Sequence, residues 1–483
     1  MARKSIKKKR ILCQKIGKVF SLLLGGVSLI FFGMLFKMSV LPTKYMSILL
    51  MIYIPICLIL ILFMLLKNLK LRIKIPCEVI SFFLTLLLSF GIFYMYKTMN
   101  FMGNIKTKKY QVENYYVVVL KNSDYEKVKD LNHKKIGIYN SSLESQEEAL
   151  TLFEEKVEFQ EKDYKDIMTM KDALLEKNID AMYLNGSYLS IIQDEDHTFE
   201  DKIKIIDTIE IKIENETIKK DIDVTKEPFN IYISGIDIFG NISSVSRSDV
   251  NIVITVNPTT HKILLTSIPR DYYVQLHGTT GYKDKLTHAG IYGVDMSIST
   301  IEDLLDIDIN YYARVNFTTL IKLVDAIGGI DVYSDYTFTS LHGNFDFQKG
   351  MNHMNGEQAL GFTRERYAFL DGDRQRGKNQ QAMITAIIKK ALSSKTLITK
   401  YTGILNSLQY SFQTNIGSNK IYDLVNMQLD KMPSWEIESI SLDGTGSSEY
   451  TYSYHSQKLY VMEPDIETIN AAKTKINSIM RGK

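Results

Sequence analysis

The stretch DVNIVITVNPTTHKILLTSIPRD, residues 249–271, decides the fold of the C-terminal half. Its first part alternates, with Val250, Ile252, Ile254 and Val256 on one face, and so predicts a strand over 249–256. NPTT turns the chain, and HKILLTSI (261–268) returns as the partner of a hairpin. A further strand, FNIYISGID, starts at Phe229 and ends at Asp237. If it too runs antiparallel to the 249 strand, its end, the start of that strand and the end of the return strand share one end of the sheet. Asp237, Arg247, Asp249, Arg270 and Asp271 then converge in space. Converging carboxylates and arginines fit a metal-plus-phosphate site better than scattered surface charge. Further on, NFTTLIKLVDAIGGIDVY (316–333) predicts a helix with Phe317, Leu320, Ile321, Val324 and Ile327 at helical spacing. Gly328 and Gly329 stop it, and a strand follows. Strands alternating with helices make the class α/β, with a mixed sheet.

A second run, GFTRERYAFLDGDRQRGKNQQ (361–381), packs five cations among three carboxylates. Arg364 and Arg366 are two apart and, if extended, point to the same face. After DGD, the sequence predicts a helix from near Arg374 to about Leu392. Arg376 and Gln380 lie on one face of it, and Met383, Ile384 and Ile387 continue that face. The stripe thus carries a cation and an amide at the positive helix end and apolar side chains below. Arginine forks bind phosphate oxygens in a bidentate manner. A ligand with a phosphate head and a hydrocarbon tail suits this pattern. The plainer readings make Met383, Ile384 and Ile387 core, and Arg374 and Lys378 solvated bystanders. Nucleic acid fits poorly: net charge is only +3, acids are intermixed, and stacking aromatics are not interleaved.

The N-terminal part is of another kind. Residues 19–36, 45–66 and 79–96 are three uncharged apolar runs, each long enough to cross a hydrocarbon core of about 30 Å as a helix. A cleaved leader would have one shorter run. ARKSIKKKR at the start and KNLKLRIK at 67–74 put the N-terminus inside and everything after about residue 97 outside, with Lys106, Lys108 and Lys109 counting against. Cys13, Cys57 and Cys77 all lie in or near these runs, so the outer region rests on its core rather than on disulfides. The organisation is a basic tail (1–18), three membrane helices (19–97), an accessory α/β unit (110–215), a linker (216–228) and a larger unit (229–483). In the accessory unit, strands are expected at 115–120, 134–140 and from about Asp180, and helices at 145–159 and in the segment from 167. Its phrases LNHKKIGIY and LLEKNIDAMYLN resemble the first lobe of a periplasmic solute-binding fold, without ligand residues.

SGID, SRSDVNIVITVNP, SIPRD, KDKLTHAG, NFTTLIKLVDAIGGIDV and GFTRERYAFLDGDRQRGKNQQ, in this order, resemble the LytR–CpsA–Psr (LCP) family of cell-wall enzymes over about residues 229–483. With three membrane runs and an accessory unit, the chain resembles the capsule-associated CpsA branch of streptococci and relatives. The resemblance implies an LCP-type α/β/α sandwich and a phosphotransferase, with pyrophosphatase activity beside it. Such an enzyme moves a glycan polymer, here capsular polysaccharide, from a polyprenyl-pyrophosphate carrier to a peptidoglycan hydroxyl and releases polyprenyl phosphate. It implies Mg²⁺, or Mn²⁺, on Asp237 and Asp249. It implies a pyrophosphate clamp of Arg247, Arg270, Arg364, Arg366, Arg376 and Gln380, with Lys285 lining the head-group site.

The catalytic set is then Arg270, Asp271, Arg364, Arg366, Asp373 and Arg376, with Asp271 or Asp373 as any general base. Met383, Ile384 and Ile387 form the lipid pocket. Many relatives carry a second arginine where this chain has Asn379, so no cation is expected there. Partners are the lipid-linked polymer, peptidoglycan, membrane lipid and capsule-synthesis membrane proteins, in a Gram-positive cell, and not nucleic acid. Alternatives are a non-catalytic binder of lipid-linked glycan and a membrane-bound regulator. Tyr450, Tyr452 and Tyr454 are candidates for stacking on sugar, against the plainer reading as packing residues.

Overall fold

A computed structural model describes residues 2–38, 43–67, 69–105, 110–141, 143–196, 198–214, 222–236, 245–370, 372–393, 412–454 and 456–482. The chain divides into two compact units. In the first, helices α1 (Ala2–Met38), α2 (Thr43–Leu65) and α3 (Leu71–Ile105) pack on one another. Leu24, Cys57, Leu60, Met64 and Leu88 form their common core, while Leu22, Leu29, Met51 and Leu87 face outward. Three stretches, Ile11–Met38, Lys44–Leu65 and Leu71–Lys97, are long and apolar enough to cross a membrane. The third helix starts earlier than its apolar run, so Arg72 and Lys74 of the expected loop are helical. Lys74 lies with its aliphatic stem buried and its ammonium donating to the Leu66 carbonyl at 3.3 Å. All three cysteines are free thiols.

Among the described residues the second unit holds two large sheets and four two-stranded ones. The first has β1 (Tyr110–Leu120), β2 (Lys135–Tyr139), β3 (Gln160–Tyr164), β4 (Ala181–Asn185) and β5 (Ile203–Glu214), in the order β3-β2-β4-β1-β5. β2, β3 and β4 are parallel, and β1 is antiparallel to both of its neighbours. Helices α4 (Gln146–Glu154), α5 (Ile167–Leu175) and α6 (Gly186–Glu195) connect them. The helix expected at 145–159 ends at Glu154, and the edge strand QEKDY follows at 160–164. With four of its five residues exposed, β3 carries no apolar alternation to betray it.

The second sheet comprises β6 (Phe229–Ile236), β7 (Val250–Asn257), β8 (Lys262–Ile268), β9 (Tyr311–Asn316), β10 (Phe412–Thr414) and β11 (Glu436–Ser441). Its order is β10-β9-β6-β7-β8-β11, with β9 parallel to β6 and β7 antiparallel to both β6 and β8. The mixed sheet and its hairpin are as the sequence predicts. Gly235 pairs with Val250 and Asn251 with Ile268, so the end of β6, the start of β7 and the end of β8 do meet. The burial is deeper than the alternation of β7 implies, because both faces are covered. Tyr232, Val253 and Leu264 pack against α8 (Val294–Leu305) and α12 (Ile466–Met480) on one face. The other face looks toward α9 (Phe317–Ala326), α10 (Gly356–Arg364) and α11 (Asp373–Leu392). The result is an α/β/α sandwich. Gly328 and Gly329 end α9 with φ of +83° and +80°, the left-handed conformation that a side chain would oppose.

Candidate active site

A cavity of about 630 Å³ opens between the sheet and α9–α11. One end is polar, walled by Asp249, Arg270, Arg364, Glu365, Arg366, Arg376 and Gln380. The other is aliphatic, walled by Ile233, Ile254 and Ala313 of the sheet and by Leu320, Leu323, Met383, Ile384, Ile387 and Ile388 of the helices.

Arg270 leaves the end of β8 beside the start of β7, and its Nη1 lies 2.6 Å from Asp249 Oδ1. Thr287 Oγ1 donates to the same oxygen at 3.2 Å. Asp271 turns the other way, with Arg270 Nε 3.6 Å from its Oδ2 and Lys285 Nζ 3.4 Å from its Oδ1. Asp249, Arg270, Asp271 and Lys285 thus alternate in sign, each side chain no more than 12% exposed. Removing one member of such a chain leaves its neighbour's charge buried without compensation. Asp271, Lys285 and Arg247 are buried and stand outside the cavity wall.

The arginine pair is built differently from the extended R-x-R reading. Asn355 caps α10 by accepting from Gln358 N at 2.9 Å, and Arg364 is the last residue of that helix. Its guanidinium stacks 4.3 Å from the centre of the Phe317 ring. Glu365 then leaves the helix and is 3% exposed. Its carboxylate accepts from Leu341 N at 2.6 Å, Tyr367 N at 2.7 Å and Ala368 N at 2.9 Å. One buried acid therefore shapes the bend that presents Arg364 and Arg366 to a single cavity. The sequence reading missed it, since an acid between two arginines reads as an ion pair rather than as a backbone acceptor. Arg366 lies over Tyr367 and donates to its hydroxyl at 2.6 Å.

Helix α11 matches its predicted span. Arg376, Gln380, Met383, Ile384 and Ile387 form one wall, in the predicted order from polar to apolar. Gln380 also donates to the Thr363 carbonyl at 3.4 Å. Asn379 is buried and ties α11 to α10 by donating to the Phe362 carbonyl at 3.3 Å. Arg374 turns away to Asp443 at 2.9 Å and the Gly444 carbonyl at 2.6 Å, and Lys378 is exposed. Asp237 and the Asp373 side chain lie outside the described residues. Tyr454 does not serve as a sugar platform: it is 2% exposed and packs into the core of the five-stranded sheet. For a cation, the cavity offers carboxylate oxygen of Asp249, a hard donor suited to Mg²⁺ or Mn²⁺.

A model described as the LytR_cpsA_psr family matches residues 189–477. The chain belongs to the LytR–CpsA–Psr family. Among individual LCP proteins, it is similar to one from Bacillus cereus named polyisoprenyl-teichoic acid–peptidoglycan teichoic acid transferase TagU. The two are 36% identical over 230 residues, which cover 47% of this chain and 74% of that protein. A protein of the same name from Enterococcus faecalis is 36% identical over 233 residues, covering 47% and 74%. The crystal structure of B. subtilis TagV shares 31% identity over 53% of this chain and 98% of its own, with a TM-score of 0.45.

Proposed function

We propose that this LCP protein is a phosphotransferase that moves a lipid-linked glycan polymer onto a peptidoglycan hydroxyl. The observation that carries the reading is the polarity of one cavity, arginines at one end and an aliphatic wall at the other. A polyprenyl pyrophosphate has the same division. The names of the TagU relatives support it, with a wall polymer as cargo. Capsular polysaccharide is our choice of cargo, on the resemblance of the three helices and accessory unit to the CpsA branch. The basic tail before the first span favours an inside N-terminus and an external catalytic unit.

Arg270, Arg364, Arg366 and Arg376 take the pyrophosphate oxygens, and Met383, Ile384 and Ile387 take the first part of the tail. The acceptor oxygen attacks the glycan-side phosphorus. The bond from that phosphorus to the bridging oxygen breaks, and the bridging oxygen leaves with the lipid as its monophosphate. The acceptor proton passes to a base, a role we give to Asp373 on the family resemblance. Asp271 serves instead as the counter-charge that holds Arg270 and Lys285, since each of its oxygens faces a cation. Cationic neutralisation of the phosphoryl oxygens is the main task in such transfers. Asp249, with Asp237, would hold a divalent cation, which when bound adds positive charge there.

The test is the full-length protein in detergent with a polyprenyl-pyrophosphate glycan and Mg²⁺. Release of polyprenyl monophosphate supports the enzyme. Tight binding without release favours the non-catalytic binder.

A further inference from the structure

Of the residues that wall the cavity, Leu341 and Tyr367 alone among those described stand mostly in solvent, at 73% and 66% exposure. Both are tied to Glu365, which accepts from their backbone N–H groups at 2.6 Å and 2.7 Å. The lip of the cavity therefore lies at its polar end, at the bend that presents Arg366. The aliphatic walls, by contrast, are buried or half-buried.

The Arg270 side of the polar end is closed. There the segment 284–292, which contains α7 (Leu286–Ala289), backs onto Arg270. Thr287 N donates to the Arg270 carbonyl at 2.8 Å, and Ser248 N to the Thr287 carbonyl at 3.1 Å. Asp284, fully buried, anchors the segment by accepting from Ser453 N at 2.8 Å. With Arg247, Asp271 and Lys285 buried there as well, that side leaves no way out for a sugar ring.

Tyr367 is held in place at the lip. Beyond it, Glu365 also accepts from Ala368 N at 2.9 Å. Phe369 then turns inward, its ring 4.8 Å from that of Phe338 and 5.6 Å from that of Tyr336. The loop is thus pinned on both sides of Tyr367, whose ring stays outward. Arg366 lies 4.7 Å from the centre of that ring and donates to its hydroxyl at 2.6 Å, so ring and guanidinium form one unit. A lipid-linked donor has a fixed order: tail, two phosphates, sugar. With the tail along Met383, Ile384 and Ile387 and the phosphates at the arginines, the first sugar emerges at the lip. The C–H face of a sugar ring carries slight positive charge and stacks on the negative face of an aromatic ring, while the sugar hydroxyls stay in water. We infer that Tyr367 is a specificity-determining residue that stacks on the first sugar of the donor. The placement of tail and phosphates in this inference rests on the function proposed above.

The experiment separates ring from hydroxyl and sugar from pyrophosphate. The full-length protein in detergent is titrated by calorimetry, without acceptor, with two ligands: farnesyl pyrophosphate, and the same lipid carrying one glucose on its outer phosphate. The ratio of their dissociation constants is the sugar's contribution, and it cancels any change that a variant makes to both ligands through Arg366. Tyr367→Ala is expected to cut this ratio about threefold to tenfold, the scale of one aromatic contact. Tyr367→Phe keeps the ring and loses the bond to Arg366, so it is expected to weaken both ligands alike and keep the wild-type ratio. Tyr333→Ala is the control, exposed but off the cavity wall. A wild-type ratio in Tyr367→Ala, or an equal fall in Tyr333→Ala, overturns the stacking role while leaving the proposed function standing. A fall in Tyr367→Phe as large as in Tyr367→Ala assigns the effect to the hydroxyl and overturns it too. A wild-type protein that binds neither ligand overturns the proposed function and the stacking with it.

Discussion

The two large sheets of the second unit end in opposite ways. Beyond β6, β7 and β8 the chain leaves Asp249 and Arg270 facing a cavity, with arginines from α10 and α11 opposite. Beyond β2, β3 and β4 it places Tyr139, Tyr164 and Tyr188 against Ile291 and Tyr454, and the ground is filled. Both are α/β units with helices after strands. A strand end is therefore not a site by topology alone. It becomes one where charge converges on space, and it becomes a joint where aromatic rings converge on a neighbouring segment.

The largest effect that would break this contrast is on the open end. Arg366→Ala and Arg270→Ala are each expected to lower lipid-monophosphate release by about 10²–10³-fold, the range for removing one donor to developing charge. Arg366→Ala is expected to leave the far-ultraviolet circular dichroism spectrum intact, as among the described residues the side chain bonds locally, to Tyr367. Near-normal turnover in both variants would mean that the cavity is not where the chemistry happens.

Glu365→Ala comes next. It strips three backbone N–H groups of their acceptor and is expected to destabilise the fold by about 2–3 kcal/mol, read as a lowered denaturation midpoint. Turnover should fall with it, because the bend between Arg364 and Arg366 loses its centre. An unchanged midpoint would show that the bend holds itself.

Ile384→Trp sharpens the apolar half of the cavity. Filling the wall is expected to raise KM for a long-tailed donor by about tenfold while leaving a short-tailed one nearly unaffected. Equal effects on both donors would place the tail elsewhere.

The smallest effect concerns the filled end. Glu113 is buried beside Tyr115, accepts from the Ser145 hydroxyl, and has Asn185 Nδ2 at 3.4 Å. Burial raises its carboxyl above the ordinary 4.5. A raised native value means that the folded state holds the proton more tightly than the unfolded chain. Its stabilising contribution is therefore full below pH 4.5 and is lost as pH rises through the native value. Glu113→Gln is expected to flatten that part of the melting temperature's fall with pH. An identical pH profile in the variant would remove Glu113 from the account.

What the sequence revealed follows the range of the forces involved. The hairpin 249–271, the Gly328–Gly329 stop and the face of α11 are local periodicities, and each appears in the structure where the residues predict it. The six ordered motifs likewise point to the family whose model matches residues 189–477. Other features were not legible because their causes are tertiary. Strand β3 pairs as an exposed edge with no pattern of its own. Arg364 is helical because Asn355 caps nine residues of α10, and Glu365 acts through amides supplied by Leu341, Tyr367 and Ala368. Asn379, marked in the sequence only as a missing cation, is a buried tie between two helices. The segment 284–292 reads as one polar motif, yet its meaning lies in contacts to Ser248, Arg270 and Ser453.

On the proposed function, the polar end of the cavity performs transfer rather than binding or simple hydrolysis. The most direct measurement is the fate of two phosphates in a donor labelled separately at the glycan-side and lipid-side phosphorus, incubated with the full-length protein and a peptidoglycan acceptor. The glycan-side phosphate is expected on the acceptor and the lipid-side phosphate on free polyprenyl monophosphate, in equal amounts, with both products lost in Arg270→Ala. Recovery of intact donor bound to protein, or of both phosphates together on either product, would contradict it.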